Sequence, residues 1–296
     1  MKHILKFALI FSFHLSHAEG TSQVNAKWTL KDGVAAPEST YFDSTSGFIF
    51  ISNISGEGTA KDGKGWIQKV STNGKIIRRE WVSGLHAPKG MRAHKGVLWV
   101  TDIDSLIAID IKSGKILKQI PKPGAKFLND IAISSSGDVF VSDTLDRKIY
   151  RLKNNQLELF FAGDETESPN GLLVHGDKLI VAAWGLAADD WSTTTPGRLY
   201  SIDLNSKTKT LITKEPLGNL DGLEIRSNGN YLVSDWSKGR VFEISPDGKI
   251  IIILDIGEKG AADIGYISAT DSLIVPRMIS SQIDFYQLSE LAHKAK

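Results

Sequence analysis

Residues 127–160 read FLNDIAISSSGDVFVSDTLDRKIYRLKNNQLELF, and residues 219–253 read NLDGLEIRSNGNYLVSDWSKGRVFEISPDGKIIII. Each runs from an apolar strand through a tight turn to a second strand ending in Val-Ser-Asp, then a loop, a third strand, another turn and a fourth strand. Short runs rich in Val, Ile, Leu, Phe and Tyr, bounded by turn residues, are β-strand signals. Self-similarity at a period of about 40 residues is the mark of a repeat architecture, and four strands per repeat is the mark of a propeller blade.

The same order returns at 86–120, at 168–185 resuming at 197–212, and at 36–55 resuming at 65–77. A sixth copy, AADIGYISATDSLIVPRMISSQIDFYQL at 261–288, lacks its last strand. The segment NAKWTL at 25–30 stands before the first complete copy, where that missing strand belongs. The expectation is an all-β, six-bladed β-propeller over 22–288 with four-stranded blades, its ring closed by the N-terminal strand completing the last blade, and a short tail at 289–296. A flat sandwich fits six such copies less well. Radial closure leaves only short edges, which suits a protein with no disulfide to staple it.

Turn chemistry assigns the two faces. Ser136-Gly137 and Asn228-Gly229 follow first strands, and Asn73-Gly74, Ser113-Gly114 and Asp247-Gly248 follow third strands, all good hairpin formers. One face is therefore built of tight hairpins. The other receives the entries to the innermost strands and the longer loops between second and third strands, and function is expected there. The two longest insertions, Gly56 to Gly65 and Gly185 to Gly197, both lie on this face. They are read as rims or lids, or as plain solvated loops, and Trp184 and Trp191 in the second either stack on a ligand or pin the loop.

Composition narrows the class. A length of 296 residues, 41% hydrophobic and 23% charged, is ordinary for a folded globular chain. Lys2 and Lys6 flank an apolar stretch from Ile4 to Leu15, and Ser16-His17-Ala18 follows as a small-x-small pattern before Glu19. Residues 1–18 are read as a signal peptide, because the stretch is well short of the roughly 20 residues that span a bilayer. The mature chain is expected to be exported, in a periplasm or outside the cell, with no membrane span. Removing Lys2 and Lys6 leaves 33 Lys and Arg against 34 Asp and Glu, a balance with no basic field for nucleic acid. The absence of cysteine excludes disulfides, iron–sulfur clusters and thiolate zinc sites.

Alignment of the copies places one residue of each blade at the channel mouth: Glu38, Lys89, Asn129, Asn170, Asp221 and Asp263. The intervals are 51, 40, 41, 51 and 42, the two long ones being those that hold the insertions. Carboxylates crowded about a narrow axis repel unless protonated or bridged by a cation. Glu38 and Asp221 supply charge, Asn129 and Asn170 supply amide oxygens, and such a set suits Ca²⁺, with Mg²⁺ or Mn²⁺ as substitutes. Zn²⁺ is the least favoured divalent ion, since His86, His94, His175 and His293 show no ligand spacing. The bland reading takes Asn170-Gly171 and Asp221-Gly222 as turn dipeptides, although they lead straight into apolar strands. Asp102, Asp143 and Asp235, with Asn53 at the matching place, are read as acceptors for backbone N–H groups of the next loop. Lys89 and Arg277 are expected either to neutralise Asp263 and Glu38 or to hold an anionic substrate group, and His86 is a candidate base near the mouth.

These residues resemble the regucalcin/gluconolactonase family of six-bladed propellers over nearly the whole mature chain. PESTYFD is similar to that family's glutamate-bearing first strand, FLNDIAI to its Asn-Asp motif, SPNGLLV to its Pro-Asn-Gly motif and LDGLEI to its Asp-Gly motif. The resemblance implies that Glu38, Asn170 and Asp221 bind a metal, that Asn129 binds metal or substrate, and that Asp221 is the general base. Phe127 stands where sugar-lactone members commonly carry an arginine, which argues against gluconolactone itself.

The functional expectation is a divalent-metal-dependent hydrolase of a small-molecule lactone or related ester, with Asn129, Lys89, Trp184 and Asp263 contacting substrate. The competing expectation is a non-catalytic exported propeller that binds a protein, peptide or sugar through its loop face. Fold alone does not choose between them.

Overall fold

The computed structural model describes residues 25–291; the segment read as a signal peptide lies outside them. Six four-stranded antiparallel sheets stand in a ring, five of them running outward in chain order from an innermost to an outermost strand. The innermost strands are Pro37–Asp43, Pro88–His94, Leu128–Ile133, Pro169–His175, Leu220–Ile225 and Gly265–Ile267. Each touches the innermost strand of the next blade, the last touching the first. The ring closes as the sequence predicts: Trp28–Leu30 is the outermost strand of the sixth blade, with Trp28 opposite Phe285 and Leu30 opposite Ile283.

The hydrophobic core is divided among the gaps between neighbouring sheets. Phe50, Ile67, Leu98 and Ile107 fill the gap between blades 1 and 2. Phe140, Ile149, Leu172 and Val181 fill that between 3 and 4, and Ile49, Ile51, Ile274 and Ile283 join blade 6 to blade 1. Both faces of most sheets are thus buried, which is why the second strands read as nearly continuous apolar runs instead of alternating. Past the sixth blade, Leu288–Leu291 forms a helical turn whose leucines pack into the cluster between blades 5 and 6. Among the described residues no helix is long and apolar enough to cross a membrane.

The faces fall as the turns dictate. The insertion of blade 4 forms its own small hairpin, Gly185–Ala187 against Thr193–Pro196. The insertion of blade 1, between Asn53 and Gly65, stays irregular.

Candidate functional site

Five of the six residues expected at the channel mouth sit at the start of an innermost strand, at or beside a β-bulge. The register slips between Pro37 and Ser39, Pro88 and Met91, Leu128 and Ile131, Pro169 and Gly171, and Leu220 and Leu223. A bulge breaks the strict in-and-out alternation of a strand, so a polar residue can point down the axis while its neighbours remain in the core. Asp263 precedes its short strand and runs beside blade 1 instead: Asp263 N–H donates to Glu38 O at 2.9 Å, and Thr40 N–H to Asp263 O at 3.1 Å.

The glycines after these residues serve close approach, not turning. A Cβ on Gly90 would run into the backbone of Asn129 and Asp130, one on Gly171 into the Asp221 carbonyl, and one on Gly222 into Asp263 and Ile264. The hydroxyl residue before each strand-ending Asp or Asn fastens the bulge. Ser142 Oγ accepts from Asp130 N–H at 2.9 Å and donates to Asn170 O of the next blade at 2.8 Å. Ser234 does the same between Gly222 N–H and Ala262 O, Ser52 accepts from Ser39 N–H, and Thr101 donates to Asn129 O.

The ring assembles. Glu38, Lys89, Asn129, Asn170, Asp221 and Asp263 are all at least 94% buried. Asn129 Nδ2 donates to Asn170 Oδ1 at 2.5 Å and to Thr144 Oγ1 at 3.2 Å, and the Asn170 amide pulls the proton affinity of Asp221 down. The Glu38 carboxyl is pushed well above its ordinary range by burial and by Asp221 and Asp263, with Lys89 pulling the other way. Burial and Asp130 likewise hold the Asp221 carboxyl well up. Desolvation drops the Lys89 ammonium to about 8; it donates to Ala87 O at 2.8 Å and Gly58 O at 3.1 Å and lies 4.3 Å from the Phe127 ring centre. The blade 1 insertion therefore reaches over the mouth and touches it.

Deeper in the channel lies a residue the repeat alignment does not single out. Arg92, 8% exposed, approaches Asp263 at 3.7 Å, Asp130 at 3.9 Å and Glu224 at 3.5 Å, and donates to the Leu223 carbonyl. Asp130 Oδ1 and Asp263 Oδ1 are buried with no hydrogen-bond partner, as is Glu38 Oε2. The channel thus gathers five carboxyl groups, Glu38, Asp130, Asp221, Glu224 and Asp263, against Lys89 and Arg92. The signal for Arg92 is its place three residues after Lys89 on one strand, a step that goes unread when only one position per blade is aligned.

Three expectations change. Arg277 neither neutralises Glu38 nor Asp263: it pairs with Glu258 at 2.6 Å and Asp284 at 3.2 Å, and Arg92 takes that place. Trp184 is 6% exposed and packs against Trp191 and Trp236, so its indole pins the insertion; partly exposed Trp191, edge-on to Phe127 at 4.7 Å, carries the aromatic surface. The strand-ending acceptors hold mainly the loop entering their own blade: Asp102 takes His86 and Ala87 N–H, Asp143 takes Lys126 and Phe127 N–H, and Asn53 takes Ala35 N–H. Only Asp235, bonded to Ser237 and Lys238 N–H, serves the loop after it alone among side-chain contacts of this kind. His86 accepts from Gly63 N–H through Nδ1 at 3.1 Å and so braces the blade 1 insertion.

Comparison with known proteins agrees with this architecture. Residues 83–264 match the SMP-30/Gluconolactonase/LRE-like region. No curated protein matches the chain. Among solved structures, a catalytically inactive virginiamycin B lyase from Staphylococcus aureus with quinupristin is 14% identical, TM-score 0.57, covering 87% of this chain and 97% of that one. A streptogramin B lyase is 13% identical, TM-score 0.56, covering 87% and 96%. A chain of a nidogen/laminin complex is 16% identical, TM-score 0.58, covering 77% and 92%. At these identities the likeness is one of fold.

Proposed function

The chain belongs to the SMP-30/gluconolactonase/LRE-like family, and from that premise we propose that it is a divalent-metal-dependent hydrolase, with Ca²⁺ as the ion, acting on a lactone or related ester at the channel mouth. The observation that carries this reading is the surplus of buried carboxylate. Glu38 keeps an oxygen without a partner, and its carboxyl is raised by burial and by Asp221, beside the amides of Asn129 and Asn170.

Among the described residues no cluster of three or more His, Cys, Asp or Glu stands ready for a metal. The donor set is instead two carboxylates, Glu38 and Asp221, with the amide oxygens of Asn129 and Asn170, hard oxygens of the kind Ca²⁺ takes. Asn170 Oδ1 now accepts from Asn129 Nδ2, so ligation through that oxygen requires the two amides to part. A bound divalent cation would polarise the substrate carbonyl and stabilise the charge developing on its oxygen. Asp221, a buried carboxyl of raised proton affinity, takes the proton of the attacking water. Lys89 holds an anionic group of the substrate, Asp263 Oδ1 offers a free acceptor, and Phe127 with Trp191 supplies an apolar wall.

A chelator-stripped sample titrated with Ca²⁺ in a thermal melt tests the reading, since a ligand of the native state raises the midpoint by mass action. A saturable rise is expected, lost in Glu38→Ala, with hydrolysis of a lactone or ester panel lost in Asp221→Ala. No rise with Ca²⁺, Mg²⁺, Mn²⁺ or Zn²⁺ would overturn it. That outcome would favour a propeller that binds a protein, peptide or sugar, a reading supported by the complete burial of Lys89 beneath Gly58. The pattern at 1–18 supports export, and an N-terminus at Glu19 on the purified protein is the check; a retained Met1 would refute it.

A further inference from the structure

The outermost strands are the exposed edges of the ring, and an unpaired apolar edge is a template for another strand. Three of the four edges of six residues or more carry their own safeguard. Ile76–Leu85 holds Arg78, Arg79 and Glu80, Ile116–Pro121 holds Lys118, and Gln156–Ala162 holds Glu158. Lys209–Leu211 and the closing Trp28–Leu30 are only three residues long. The edge of blade 5, Ile250–Asp255, is different: IIIILD has no charge before its last residue. Ile250, Ile251 and Ile252 are 40%, 42% and 46% exposed, and because successive side chains alternate up to the bulge at Ile253, both sides of this stretch offer isoleucine to solvent.

The charges at its ends say what covers it. Lys249 precedes the isoleucines, exposed and without a carboxylate partner among the described residues, and Asp255 ends the strand, half exposed beside Arg240. A strand of the order Lys, four Ile, Leu, Asp is complementary to itself when antiparallel. Pairing about Ile252 sets Lys249 opposite Asp255 of a second copy at both ends, whereas a shift to Ile251 would oppose Asp247 to Asp255. We propose that two copies of this chain associate edge to edge through Ile250–Asp255, in a two-fold antiparallel pairing centred on Ile252 that joins the two fifth blades. A two-fold contact of this kind uses the same patch on both chains and closes at two. The cleft beside the strand, between Ile212, Pro216 and Gly248, widens the surface available to the partner.

Light scattering coupled to size exclusion, on the mature protein across concentrations, reads the result. A mass twice that of the chain is expected. Ile251→Lys, which gives this edge the mid-strand charge the other blades carry, should return it to the monomer mass with the thermal midpoint retained. Lys249→Asp alone and Asp255→Lys alone should each weaken the dimer at least ~10-fold, about 1.4 kcal/mol, by opposing like charges, and the double variant should restore it. A wild type that stays monomeric at every concentration up to ~0.1 mM, about 100-fold above a micromolar Kd, would overturn the proposal. So would a dimer that survives Ile251→Lys, or open-ended oligomers in place of a closed pair.

Discussion

At the scale of single residues, the channel is a place where charge is kept out of water. Burial lifts the Glu224 carboxyl from 4.5 to about 7, against the pull of Arg92. The folded chain then retains a proton that the unfolded chain has released. The stability it contributes is complete below pH 4.5 and is lost as pH rises through about 7. A shift of that size corresponds to at most about 3–4 kcal/mol. In chelator, Glu224→Gln should flatten the rise in denaturant sensitivity between those two pH values; an unchanged slope would place the proton elsewhere. The ring positions were legible because each heads an apolar strand at the repeat period. Arg92 was not, since nothing in MRAHKG separates a channel arginine from a solvated one until Asp130, Glu224 and Asp263 converge on it from other blades.

At the scale of the strand, one bulge and one hydroxyl account for how a blade presents its residue. Ser142 serves two backbone groups, in two blades, from a fully buried position. Ser142→Ala leaves Asp130 N–H and one acceptor short of a partner, and a buried unmet polar group costs about 1–3 kcal/mol. Chemical denaturation should show that loss, with the fold retained; a change under ~0.3 kcal/mol, below what a buried hydrogen bond contributes, would show that another group takes its place. The Val-Ser-Asp recurrence is plain in the sequence, yet only its aspartate suggested a role. A serine's reach across a blade gap depends on how closely neighbouring sheets approach, and Gly90, Gly171 and Gly222 set that approach. The same dependence explains Trp184, whose burial follows from Trp191 folding back across the insertion.

At the scale of the whole molecule, six repeats and one displaced strand were enough to predict the ring, because period and strand count are local properties of the chain. The pairing of copies through Ile250–Asp255 lies at this scale too, as it concerns the one long edge among the described residues left without a charge among its apolar residues. The closing strand has a temporal consequence. Trp28 finds its partner only when Phe285 exists, so a growing chain holds five sheets and an incomplete sixth until Phe285 has emerged. Contacts between such distant positions form slowly. Until then the sixth sheet lacks its outermost strand, and the first and last segments of the ring cannot be latched together.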